Sequence, residues 1–222
     1  MFVLPFEKVR QDDFILSTPV EVFDQLKTSL CELCAVTSIG EDKFGIEFEP
    51  SYTYAKACQL QGRVMLHGLT MSMVCEAVQE FGLLPRSCSP YSISTKPQAF
   101  LGDWKNWDES LDKIAARYKA KSFEPVLGFK SNFELIRTAL SKGYPVLCGL
   151  FWQQEWDGLT IINSKFQNLK YTPHAIKAYG QKIIDGKSYI KFLNSRGSER
   201  GENGSFYVSS DVKLLQPYIL KF

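Results

Sequence analysis

Histidine is scarce in this chain: only His67 and His174 occur among 222 residues. Any chemistry that needs an imidazole base therefore rests on one of two positions. Charge of one sign is lacking too. The formal net charge is +2, and no basic run or aromatic-basic stripe stands out, which argues against nucleic acid as a partner. No apolar stretch approaches the roughly 20 residues that a bilayer crossing needs, so no membrane span is expected. The opening Met1-Phe2-Val3-Leu4-Pro5 runs into Glu7, Lys8, Arg10, Asp12 and Asp13, which is not the pattern of a secretory signal. The six cysteines lack the tight spacing of a disulfide framework and read as mostly free thiols in a reducing compartment. A mature form cut from a longer precursor would present the same composition. Cys31 and Cys34 are the only pair at metal-ligand spacing, and without a second pair no zinc site is expected. Phosphate-loop and dinucleotide fingerprints are absent.

Core-forming material is plentiful. Apolar residues make up 45% of the chain and aromatics 14%, enough for one large domain or two closely packed lobes and too much for a disordered chain. Local signals divide it into short elements. Ser29-Leu30-Cys31-Glu32 is a capping box, which predicts an N-cap at Ser29 and a helix to about Gly40. Met71, Val74, Val78 and Phe81 recur at helical spacing after Thr70, with Gly82 as the stop. Asp108 can cap a helix carrying Leu111, Ile114, Ala115 and Tyr118. Ser131-Asn132-Phe133-Glu134 is a second capping box, opening a helix that ends at Gly143.

Beyond Gly143 the character changes to strands. Residues 144–151 read as a buried strand, and 173–180 and 188–194 as two more, joined through the hairpin dipeptide Asp185-Gly186. Gly204 to Val208 reads as a last paired strand. Helices first and strands second make an α+β arrangement of two unlike halves. Such halves commonly enclose a cleft.

Four residues could carry chemistry. Near a helix N-terminus, Cys31 would meet unpaired backbone amides and the positive end of the helix dipole, which favour thiolate over thiol; Glu32 beside it works the other way. Taken alone, Cys31 reads equally as a small buried apolar residue, and Cys34, one turn on, suits that description better. His174 begins a strand-like segment and needs a third group to orient it as a base. Asn194 lies on the next predicted strand. Pairing 184 with 187 sets residue 194 opposite 177, close to His174 but on the other face of the pleat. One bulge, placed at Gly180, would restore a common face. Gln25, six residues before Cys31, could donate to an oxyanion forming beside the thiol.

The order and surroundings of these residues carry a resemblance. Asp24-Gln25-Leu26-Lys27-Thr28-Ser29-Leu30-Cys31 resembles the Asp-Gln-Gly…Cys stretch of papain-family cysteine peptidases. Pro173-His174-Ala175-Ile176 through Gly180 is similar to that family's Gly-His-Ala-Val…Gly strand. Lys191-Phe192-Leu193-Asn194-Ser195-Arg196-Gly197 is similar to its Asn-Ser-Trp-Gly motif, and Gly201-Glu202-Asn203-Gly204-Ser205-Phe206-Tyr207 to its Trp-Gly-Glu-Asn-Gly-Phe-Phe. Phe81-Gly82-Leu83 through Ser89-Pro90-Tyr91 and Ala139-Leu140 through Gly143-Tyr144-Pro145-Val146 resemble two of its scaffold passages. The likeness spans roughly residues 20 to 210.

The resemblance implies a papain-like two-lobe fold: a helical lobe over about 22–105, and a strand-rich, barrel-like lobe over about 106–222 with the N-terminal arm. It implies Cys31 as nucleophile, His174 as base, Asn194 as its orienter and Gln25 as oxyanion donor beside the Cys31 amide. The substrate would be a peptide or protein, cleaved through an acyl-thiol intermediate without metal or cofactor. His67-Gly68 is the remnant of the family's substrate-strand Gly-Gly, which gives Gly68 a substrate-binding role.

Several positions depart from the family. Glu32 stands where Trp follows the nucleophile. Arg196 replaces the Trp that shields the histidine–asparagine bond, which predicts a wetter and weaker pair. Thr28 replaces a disulfide-forming cysteine, in keeping with a cytoplasmic or virion-associated protein from the bacterial or viral side of the family. No inhibitory propeptide of usual length precedes Gln25. Two other readings stay open: a catalytically silent papain-like structural or binding module, and a papain-like hydrolase of isopeptide bonds or cell-wall crosslinks. The oligomeric state is open as well.

Overall fold

A computed structural model describes residues 2–3, 9–163 and 171–222. In chain order the elements are β1 (Phe2–Val3), β2 (Phe14–Ile15), α1 (Cys31–Phe44), α2 (Pro50–Gln61), α3 (Met71–Glu80), α4 (Gln98–Gly102), α5 (Ser110–Ala115), β3 (Ser122–Leu127), α6 (Asn132–Ser141), β4 (Val146–Gln153), β5 (Ile161–Ile162), β6 (Tyr171–Ile184), β7 (Lys187–Leu193), β8 (Ser205–Ser209) and β9 (Tyr218–Lys221). The chain clusters into two compact units. The helical unit comprises Pro19–Glu21, Gln25–Phe123 and Leu220–Phe222; the strand-rich unit comprises the N-terminal arm to Thr18, Val22–Asp24 and Glu124–Ile219. Residues 106–123, including α5, thus cluster with the helices rather than with the strands.

In the helical unit, local chemistry sets most of the helix ends. Thr70 caps α3, its hydroxyl accepting from the Met73 amide at 3.3 Å, a contact that contributes about 1 kcal/mol. Asp108 accepts from the Ser110 amide at 2.8 Å at the start of α5. Pro50 opens α2 behind Glu49, whose carboxylate accepts from the Ser51 amide at 3.0 Å. The capping box expected at Ser29 does not form. Leu30 is the cap residue of α1, with no side-chain hydrogen bond, and the Ser29 amide instead donates to Oε1 of Gln98 at 3.2 Å. Cys31 is consequently the first helical residue rather than the second.

α1 also runs past Gly40 to Phe44, stopping at Gly45 in the left-handed region (φ 69°). Gly40 is in the helix for its size: a Cβ there would collide with Leu83. Leu33, Val36 and Ile39 of α1, Tyr52 and Ala55 of α2, and Val74 and Val78 of α3 are all fully buried.

The strand-rich unit is built on β4 and β6, antiparallel over eight residue pairs from Val146–Ala178 to Gln153–Tyr171. β6 and β7 form a hairpin closed by the Ile184–Lys187 pair. Asp185 (φ 48°) and Gly186 (φ 73°) both adopt the left-handed conformation that a two-residue hairpin turn requires. The strand order is β1-β3-β9-β4-β6-β7-β8-β5, with β2 on β6. Among the described residues this ladder is open, not the barrel-like lobe expected. Both of its edges are two-residue strands, β1 and β5, too short to extend the pairing further. α6, capped by Ser131 at 3.3 Å from the Glu134 amide, lays Phe133, Ile136, Ala139 and Leu140 against Val146, Cys148 and Ile176 of the sheet. No helix among the described residues is long and apolar enough to cross a membrane.

Candidate active site

Cys31, Gln25 and Gly68 belong to the helical unit. As the first residue of α1, Cys31 sits where the opening amides of a helix have no intrahelical acceptor, and the dipole there favours a thiolate. Its side chain is 6% exposed, and its Sγ–H donates to Oε2 of Glu32 at 3.3 Å. Burial pushes the Glu32 carboxyl pKa upward, against hydrogen bonds from its own backbone and from Cys31. The thiol therefore feels two opposed fields, a helix N-terminus that draws its proton off and a carboxyl that holds it. Cys34, one turn later, is buried, and burial above all pushes its thiol pKa well up.

Gln25 stands in a tight turn before α1. Its Nε2 donates to the Thr28 carbonyl at 2.8 Å, while the Thr28 hydroxyl donates to the Gln25 carbonyl. The first bond holds the side-chain amide and the second the turn that carries it. Gly68 (φ 95°) passes close to the same segment, where an added Cβ would lie 3.4 Å from the Ser29 carbonyl oxygen. His67 is exposed.

His174 and Asn194 belong to the strand-rich unit, where the bulge does form. β6 and β7 pair in step from Ile184–Lys187 to Gly180–Lys191, then resume at Ala178–Phe192. The extra residue is Tyr179, one before the position expected, and its hydroxyl is anchored 2.8 Å from Oγ of Ser205. The shift brings Asn194 to the level of residue 176 and onto the face that carries His174. Nε2 of His174 lies 2.8 Å from Oδ1 of Asn194.

The direction of that bond follows from a second one. The Ser195 amide donates to the same Oδ1 at 2.9 Å, which identifies the atom as oxygen and an acceptor. Nε2 of His174 therefore carries the proton, and in the neutral ring Nδ1 keeps the lone pair. Burial pushes the His174 pKa down to about 4; the Asn194 hydrogen bond opposes the shift and the Arg196 charge adds to it.

The wet, weak pair expected from Arg196 is not what the structure holds. His174 is 4% exposed and Asn194 5%. Trp152 packs beside the imidazole. Its ring meets His174 edge-on, centroids 5.5 Å apart at 70°, and is backed by Phe206 at 5.2 Å and Trp156 at 5.8 Å. The Arg196 guanidinium lies over the same indole, 5.6 Å from its centroid. A strand over 144–151 was visible in the sequence; its continuation through Trp152 to Gln153 and its register against His174 were not.

No protein-family model matches the sequence, and no curated protein matches it. Solved structures do match the fold. Xylellain, a cysteine protease from Xylella fastidiosa, matches with a TM-score of 0.78 at 19% identity, over 96% of this chain and 87% of that one. The bromelain protease of Ananas comosus, solved with the E64 inhibitor, matches at 0.70 and 17%, over 96% and 100%. Digestive procathepsin L 3 of Tenebrio molitor larval midgut matches at 0.74 and 15%, over 99% and 72%. Identities this low show a common fold and leave activity to be argued from the residues. Helical unit, strand-rich unit and these likenesses together show that the chain has the papain-like cysteine-protease fold.

Proposed function

We propose that the chain is a cysteine peptidase, with Cys31 as nucleophile and His174, oriented by Asn194, as its acid–base. The observation that carries this reading is the buried 2.8 Å bond from His174 Nε2 to Asn194 Oδ1. It assigns the lone pair of the neutral ring to Nδ1, the atom that then takes the thiol proton. A bulge and a doubly bonded amide oxygen are an elaborate way to hold an imidazole that has no role.

In this reading the Cys31 thiolate attacks a peptide carbonyl carbon, and the carbonyl oxygen gathers negative charge. The Cys31 backbone amide and Nε2 of Gln25 donate to it. His174, protonated on Nδ1 by the thiol, hands that proton to the leaving amine as the C–N bond breaks. Water then attacks the acyl-thiol, giving a proton back to Nδ1. Collapse to the acid releases the thiol. Burial, with the Arg196 charge adding to it, favours the neutral His174 ring, so in this reading the charged ring depends on the negative charge of the thiolate. The segment around Gly68 would hold the substrate backbone.

Cys31→Ala should abolish turnover of a denatured protein substrate, and His174→Ala should lower kcat/KM by about 10,000-fold. Asn194→Ala should be milder, and Cys34→Ala should keep most of the activity. Equal losses from both cysteine variants would count against the assignment. A second reading, a silent papain-like binding module, is favoured by one observation, the Cys31 thiol donating to Glu32. Iodoacetamide labelling separates the two. A peptidase labels Cys31 first, well below pH 8, and loses that selectivity in His174→Ala; a silent module labels Cys31 only at higher pH, whatever stands at 174.

A further inference from the structure

The bond between His174 and Asn194 is only as good as the exclusion of water from it, because each water that reaches Oδ1 or Nε2 competes for the same proton. One side chain is placed to exclude that water. Leu150 pairs with His174 across β4 and β6, and Trp152 with Thr172. Trp152 therefore stands on the same face as His174, one diagonal step away, within reach of a large ring. The two rings meet at a steep angle, 5.5 Å between centroids. It lines a small cavity together with Asn194 and Arg196, so it touches the surroundings of both members of the pair.

The indole is not free to turn away. Its Nε1–H donates to Oδ1 of Asp157 at 2.9 Å, five residues on and just past the end of β4. Phe206, itself stacked on Phe192, and Trp156 both pack against it at steep angles. Arg196 lies across the ring face. A buried indole with its one donor satisfied and three neighbours against it has a single orientation.

We propose that Trp152, held by Asp157, is the positioning residue that keeps the His174–Asn194 bond dry, the task left open by the arginine at 196. This rests on the reading of His174 and Asn194 as the acid–base pair, but it makes a claim of its own about the ring. Trp152 touches no reacting atom; it acts through the imidazole. Asp157 acts one step further out, through the indole. The charged groups bearing on the imidazole are Arg196, which disfavours its protonation, and Asp157, which favours it.

The test reads the imidazole directly, by long-range proton–nitrogen NMR across pH 3 to 9 on the whole chain. In Cys31→Ala, where no thiolate pairs with the ring, His174 should be the Nε2–H tautomer at neutral pH, with a slowly exchanging ring proton and a titration midpoint near 4. Adding Trp152→Leu to that chain should raise the midpoint by at least one pH unit toward the ordinary value and bring the Nε2–H into fast exchange. With Cys31 in place, Trp152→Leu should lower kcat more than tenfold, part of the roughly 100- to 10,000-fold that a positioned acid–base supplies. Asp157→Asn keeps an acceptor without the charge and should hold the tautomer. Asp157→Ala should loosen it, and the difference between the two measures the anchor. If Trp152→Leu does not fold, Trp152→Phe carries the same test with a smaller change. A midpoint, tautomer and exchange rate unchanged in folded Trp152 variants would overturn the proposal. Changed NMR behaviour in a chain that cleaves nothing would instead leave the shield standing and remove the peptidase reading.

Discussion

At the scale of the residue, the low pKa of His174 has a consequence for stability. An unfolded histidine protonates near pH 6.5, whereas folded His174 resists protonation until about pH 4. Between those values the unfolded chain binds more protons, so stability rises with pH through the window. The contribution is fully present above pH 6.5 and is lost as pH falls to 4. Compared in the Cys31→Ala background, where no thiolate pairs with the ring, His174→Gln should flatten that part of the stability curve, measured by urea denaturation at half-unit steps. Glu32 and Glu49, whose pKa values burial raises, carry the opposite slope, stability lost as pH rises above about 4.5. Both remain in the variant, so the difference between the two curves isolates the imidazole.

At the scale of the element, the β6–β7 hairpin decides whether the site exists. Its turn was legible, because Asp185-Gly186 states its own backbone conformation. The need for a bulge was legible too, since simple counting puts Asn194 on the wrong face. Its exact residue was not, because Gly180 answers to a different demand. A Cβ on Gly180 would come within 2.6 Å of the Phe14 carbonyl, so the glycine makes room for β2 while Tyr179 supplies the extra residue. Gly180→Val should therefore push β2 off the sheet and cost about 1 to 3 kcal/mol, read from denaturant midpoints. The α1 start misled for the same kind of reason. Ser29 has the right local chemistry for a cap, but its amide is taken by Gln98, 69 residues away in sequence. Capping rules see the next turn; they do not see a distant side chain. Thr70 and Ser131, with no such competitor, cap as their sequences say.

At the scale of the whole molecule, the α+β class followed from element order, helices first and strands after, and the papain-like fold from the resemblance of the motifs around Cys31, His174 and Asn194. The cover over His174 did not, because Trp152 reaches it through strand register, and the arginine at 196 suggested that no cover was there. All six cysteines are free thiols, five of them buried and Cys88 exposed. The melting temperature should therefore be the same with and without a reductant, measured by calorimetry. A drop of several degrees under reduction would mean that a disulfide had formed.

The helical unit is closed by residues far along the chain. Its last helix ends at Ala115, yet Leu220–Phe222 belong to it. The Lys121 amide donates to the Lys221 carbonyl at 2.7 Å, and the ring of Phe222 packs edge-on against Phe44 at 5.4 Å. A ribosome adding about 5 to 20 residues each second reaches residue 222 several seconds after it has made α5. For that interval Phe44 and its neighbours await a partner not yet synthesised. Nascent chains stalled just after residue 123 should accordingly be digested by protease over the α1 region, and chains released past Phe222 should resist.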